Sequence, residues 1–204
     1  MDRKRDIIEQ GYRIIFKRGV RSFTVDGFSE KIHISKKTIY DLFPTKEALI
    51  KEIVTFKLTS IKNKVKKIIV DSDCPLLTFF KINQLQLKTV SEVDINKLSD
   101  LKVKYPEIWS IVDKYRKDEI KTLESVFIEA YNKNYIKNDL DPMTVSNLYM
   151  NIIDKTFQPE FFIQEDISLK DTIILYTKIM TRGIFSKDAL KKLSAINKEW
   201  KSHE

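Results

Sequence analysis

An all-α fold of about nine to ten helices is what this sequence predicts, and three observations predict it. The 204 residues contain only four Gly and five Pro, too few breakers for a many-turned β architecture. Apolar residues recur at three- and four-residue spacing through most of the chain. Capping residues stand where those periodic runs begin. Apolar types make up 42 % and charged types 32 %, so the composition supports a buried core and does not indicate disorder.

The first helix is expected from about Arg3 to Arg18, with Ile8, Tyr12, Ile15 and Phe16 on one face and Gly19 ending it. Thr24 reads as the N-cap of a short second helix striped by Val25, Phe28 and Ile32. A third short helix follows Ser35, turning Ile39, Leu42 and Phe43 inward. Thr45 caps a long fourth helix with Leu49, Ile50, Ile53, Val54, Leu58, Ile61, Val65 and Ile68 on its buried side. After a connection at Asp71 to Pro75, the fifth helix spans about Leu76 to Ser91 and the sixth about Ile95 to Lys104. Pro106 suits the first turn of a seventh helix, and Asp141-Pro142 opens an eighth that Pro159 ends. Ser168 with Asp171 starts a ninth, reaching about Gly183, and the last begins at Ser186. The expected division is a small domain over residues 1–48 and a larger helical one over 49–204.

The formal charge is +8, and it is unevenly spread: residues 1–60 hold 13 Lys and Arg against 8 Asp and Glu. A basic N-terminal third suits an anionic partner such as nucleic acid. The single cysteine, Cys74, forms no internal disulfide and demands no oxidising compartment. No apolar stretch is long enough to span a bilayer, and the first residues lack a secretory apolar core, so a cytoplasmic protein without membrane contact is expected. The two histidines, His33 and His203, are far apart, and phosphate loops, cysteine clusters and nucleophile elbows are absent. Catalysis, cofactors and metals are therefore not expected.

Thr24 to Phe43 forms a unit of two short helices joined by His33-Ile34-Ser35, the layout of a helix-turn-helix. Lys36, Lys37, Tyr40 and Asp41 face outward on its last helix, beside the hydroxyls of Ser35 and Thr38. Lysines meet phosphate or guanine, and hydroxyls meet phosphate oxygens. The pattern alone leaves two readings open, a DNA-binding face and an ordinary lysine-bearing surface helix. The lysines at 62, 64, 66 and 67 lie on a solvated face, since Lys62 is roughly 24 Å up the helix from Lys46 at about 1.5 Å per residue.

The segment from Phe23 to Leu49 resembles the N-terminal signature of the tetracycline-repressor (TetR) family. The likeness is densest at Ser35-Lys36-Lys37-Thr38-Ile39-Tyr40, at Phe43 and at Lys46-Glu47-Ala48-Leu49. Phe16 to Gly19 also matches the end of that family's first helix. The resemblance implies an N-terminal helix-turn-helix domain and a C-terminal helical domain for effector binding and dimerisation. It implies a homodimer that binds a double-stranded operator and responds to a small-molecule effector, most simply as a repressor. It places Thr24, Ser35, Lys36, Lys37, Thr38, Tyr40 and Lys46 at the DNA. The dimer surface it implies joins Leu148, Tyr149, Ile152, Ile153 and Phe157 to Ile173, Tyr176, Thr177 and Met180. Phe79, Phe80, Leu98, Leu101, Trp109 and Tyr115 are candidate lining for an apolar or amphipathic effector, although aromatics at helical spacing also serve as plain core. The sequence departs from the family at His33, where glycine is usual, and at Ser29 and Ile32, where alanine is favoured. His33 is read as a turn residue that tolerates positive φ. The competing reading is an interaction protein that keeps the fold and binds DNA without sequence preference.

Overall fold

A computed structural model of the chain describes residues 3–91, 94–156 and 158–201. Among them are eleven helices: α1 (Arg3–Arg18), α2 (Val25–Ile32), α3 (Lys36–Leu42), α4 (Lys46–Val70), α5 (Pro75–Ser91), α6 (Ile95–Lys104), α7 (Pro106–Asn132), α8 (Pro142–Thr156), α9 (Pro159–Gln164), α10 (Leu169–Ile184) and α11 (Lys187–Lys201). The all-α expectation is met, with one helix more than expected. Pro159 does separate two helices, but it also occupies the first turn of α9, where its missing N–H costs nothing. Phe157 and His203 lie outside the described residues.

Helix starts follow local chemistry. Thr45 Oγ1 accepts from the Ala48 N–H at 3.0 Å, Asp94 Oδ1 from Asn96 at 3.0 Å, Asp141 Oδ2 from Thr144 at 2.7 Å and Ser168 Oγ from Asp171 at 3.2 Å. Each bond satisfies a donor that the first helical turn leaves over. At the other end of α10, Lys137 Nζ donates to the carbonyls of Arg182 (3.2 Å) and Gly183 (2.7 Å).

The chain divides into two compact units, residues 1–62 with 92–115 and residues 63–91 with 116–204. The first is larger than the 1–48 domain expected from sequence. Its core joins Ile7, Ile15, Phe23, Phe28, Ile39 and Phe43 of the N-terminal helices to Leu49, Ile50 and Ile53 of α4, and to Leu101, Ile108 and Trp109. The physical reason is area: three short helices leave apolar surface that α6 and the start of α7 cover. Trp109 is 5 % exposed, and its Nε1 has no hydrogen-bond partner among the described residues.

In the second unit α5 packs against α10 and α11. Its interior is aromatic: the Phe79 ring lies 5.8 Å from Phe127, 6.3 Å from Tyr149 and 5.2 Å from Phe185. The edge-on geometry of the Tyr149 and Phe185 contacts suits the ring quadrupoles.

Candidate nucleic-acid interface

The turn between α2 and α3 is fixed at both ends. Thr24 is extended (φ −121°, ψ 147°) and its Oγ1 accepts from the Gly27 N–H at 3.2 Å. His33 closes α2 in the left-handed region at φ 54°, ψ 40°, and its N–H donates to Glu30 O at 3.3 Å. The Ile34 N–H reaches back to Ser29 O at 3.1 Å, so the end of α2 is capped by the turn itself. Ser35 then opens α3: its Oγ accepts from the Thr38 N–H at 3.1 Å and lies 2.9 Å from Thr38 Oγ1. The buried Ser29 hydroxyl donates to Asp26 O at 2.8 Å, which is how a polar residue is accommodated between the two helices.

Phe28, Ile32, Ile39 and Phe43 anchor this pair of helices in the core. What α3 leaves in solvent is Lys36, Lys37, Tyr40 and Asp41, with Tyr40 44 % exposed and Thr38 half-buried. The cations differ in state. Lys36 is ion-paired with Asp26 of α2, and that hydrogen bond first, then the carboxylate charge, raises its pKa. Lys37 has no ion-pair partner among the described residues. Lys46, in the first turn of α4, is half-buried with its Nζ 5.9 Å from the Phe23 ring centre. Burial first, and second the charge of Lys104, pull its pKa down. Thr24, Ser35, Lys36, Lys37, Thr38, Tyr40 and Lys46 thus all fall in the first unit, and two of them, Thr24 and Ser35, hold helix ends. Sequence reasoning missed the Asp26–Lys36 pair, because its partners are on different helices and no periodicity links them.

The six residues considered for an effector divide between the two units. Leu101 and Trp109 are buried in the core of the first unit and Leu98 packs against it. The cavity there, lined by Ile15, Val20, Val54, Lys97, Leu98 and Leu101 among others, is about 20 Å³, the size of a water site. Tyr115 ends the first unit, whereas Phe79 and Phe80 belong to the second.

On α8, Leu148 and Ile152 are exposed, Ile153 is half-buried, and Tyr149 is buried. On α10, Ile173, Tyr176, Thr177 and Met180 are half-buried. Tyr176 Oη donates to Tyr149 O at 2.7 Å and Thr177 Oγ1 to Asn83 Oδ1 at 3.2 Å, which turns that side of α10 inward. The apolar side chains left in solvent are Ile174, Leu175 and Ile179, offset from the row read in the sequence.

Residues 7–53 match the family model of bacterial regulatory proteins, tetR family. The HTH-type transcriptional regulator YvaF of Bacillus subtilis (strain 168) is 21 % identical over 185 residues, covering 90 % of this chain and 95 % of that protein. A transcriptional regulator from Saccharomonospora viridis, solved in complex with choline, superposes with a TM-score of 0.71 at 14 % identity, covering 90 % of this chain and 98 % of that one. A TetR-family regulator from Agrobacterium tumefaciens gives a TM-score of 0.68 at 14 % identity, covering 90 % and 97 %. Residues 7–53 thus carry the helix-turn-helix of the tetR family of bacterial regulatory proteins, on an all-helical architecture shared with solved transcriptional regulators.

Proposed function

We propose that this regulator is a homodimeric cytoplasmic repressor that binds a near-palindromic operator and is released from it by a small organic effector. The observation that carries the reading is the outward face of α3: a short helix capped at Ser35, backed by core residues, presenting Lys37 and Tyr40 in solvent. In this reading Lys37 and Thr38 enter the major groove, and Tyr40 anchors to phosphate. The caps Thr24 and Ser35 present hydroxyls to the backbone, and Lys46 clamps it at the start of α4. Lys36 reaches phosphate only in competition with Asp26.

One helix of seven residues reads too few bases, so the second copy matters. The exposed apolar side chains of α8 and α10 support a dimer through these helices, Leu148 and Ile152 meeting Leu175 and Ile179 across a two-fold axis. Two-fold symmetry places the recognition helices about one DNA turn, roughly 34–36 Å, apart. Phe79, in the aromatic interior of the second unit, and Phe80 beside it in the chain are the side chains of that unit we assign to an apolar or amphipathic effector. The choline complex of the S. viridis regulator supports an organic effector for a protein of this fold. Ligand would favour a head spacing that no longer fits adjacent major grooves.

Selection of bound duplexes from a random pool tests this. The expected outcome is a palindromic consensus, with Lys37→Ala and Tyr40→Ala each weakening binding on the order of tenfold or more. Recovery of random sequence would overturn operator recognition in favour of sequence-independent binding. An effector that leaves operator affinity unchanged at saturation would overturn the release mechanism.

A further inference from the structure

Outside the helix-turn-helix, α6 is built into the same unit along one face. Lys97 covers Gly19, whose added Cβ would meet Lys97 Cγ at 3.0 Å. One turn on, Asp100 pairs with Arg21 at 3.8 Å and Leu101 enters the core. A further turn on, at i+4 from Asp100, stands Lys104, the last residue of the helix. Tyr105 then packs on the core and lies near enough to Glu47 for that carboxylate, after burial, to raise its phenol pKa. The face of α6 that carries Lys97 and Asp100 therefore runs along the Gly19-to-Arg21 segment, and Lys46 lies over Phe23, two residues beyond the Arg21 that pairs with Asp100.

Lys104, one turn beyond Asp100, follows that face of α6 toward Lys46, and its charge adds to burial in lowering the Lys46 pKa. Elsewhere in the unit Lys4, Arg5, Arg21, Lys36 and Lys97 each have a carboxylate partner. Neither Lys46 nor Lys104 has one among the described residues. Two cations of which neither is ion-paired do not stabilise a fold, and they match an anion placed between them.

We propose that Lys104 is a phosphate-contacting residue that, with Lys46, grips the DNA backbone from α6 and so carries the interface beyond the helix-turn-helix. The assignment rests on the DNA-binding reading above, which puts Lys46 at the backbone. It needs no base contact, so it acts on any duplex sequence.

Binding of the full chain to an arbitrary duplex of about 30 base pairs, titrated at several salt concentrations, tests it. Lys104→Gln is expected to reduce the slope of log K against log salt by about 0.9 per head and to weaken binding on the order of tenfold per head at about 0.1 M salt. Lys67→Gln, an equally exposed lysine of the second unit, is the reference and should leave both unchanged. Without DNA, Lys104→Gln should melt at or above the wild-type temperature, because a repulsion has been removed. An unchanged slope for Lys104→Gln, alongside loss of operator binding in Lys37→Ala, overturns the inference and leaves the DNA reading standing. A lowered melting temperature accompanying the affinity loss also overturns it, since Lys104 would then be structural. Salt-insensitive binding by the wild type overturns the inference and the DNA reading together.

Discussion

Gly19 and His33 solve one conformational problem with different residues. Both lie in the left-handed region, at φ 80° and 54°. Gly19 has no Cβ to strain, whereas His33 carries a side chain in solvent where the family usually has glycine. Gly19→Ala should therefore destabilise by about 1–2 kcal/mol, from the left-handed backbone and from the crowding against Lys97. Thermal melting should record a fall of about 2–8 °C, and an unchanged midpoint would refute the argument. Residues such as these were legible in the sequence because their chemistry is local: a turn position, a cap, a stop. Lys36 was legible as a cation but not as a paired one. Its partner Asp26 is brought beside it only by the crossing of two helices.

The helices themselves were legible wherever a cap or a proline marked their start. Asp141 shows the chemistry at work. The hydrogen bonds from Thr144 hold its carboxyl below the usual carboxylate range. A depressed folded-state pKa stabilises above the unfolded value, and the contribution is lost as pH falls through the folded value. The melting temperature of wild type should thus drop more steeply than that of Asp141→Asn between about pH 5 and pH 2. Parallel acid limbs in the two proteins would show that this cap does not titrate as argued. Two features of the elements were not legible. Six residues are too few to show a helical period, so in the sequence α9 shows only as the break at Pro159. Along α10 the apolar stripe is broad, running from Ile173, Tyr176 and Met180 round to Ile179 and Leu175, so periodicity does not say which edge of it turns inward. The hydrogen bonds of Tyr176 and Thr177 decide it.

For the whole molecule, the proposed dimer gives the sharpest prediction. Leu175 and Ile179 are 57 % and 59 % exposed, so Leu175→Asp with Ile179→Asp should leave each protomer folded. Light scattering should then report the mass of one 24.1 kDa chain where wild type gives twice that, and the double variant should lose high-affinity operator binding. A dimeric variant would exclude this face as the contact. The extent of the first unit was not legible, since nothing in the pattern of Ile95 to Tyr115 says which core it will join. Yet that recruitment governs how the protein is made. A ribosome releases Ile7 to Val54 early, but Leu101, Ile108 and Trp109 complete the same core. The nascent head must therefore wait, its apolar surface uncovered, until translation has passed Tyr115. A fragment ending at Lys62 would remain in that unfinished state, and a chimaera meant to transplant this head would have to carry residues 92–115 with it.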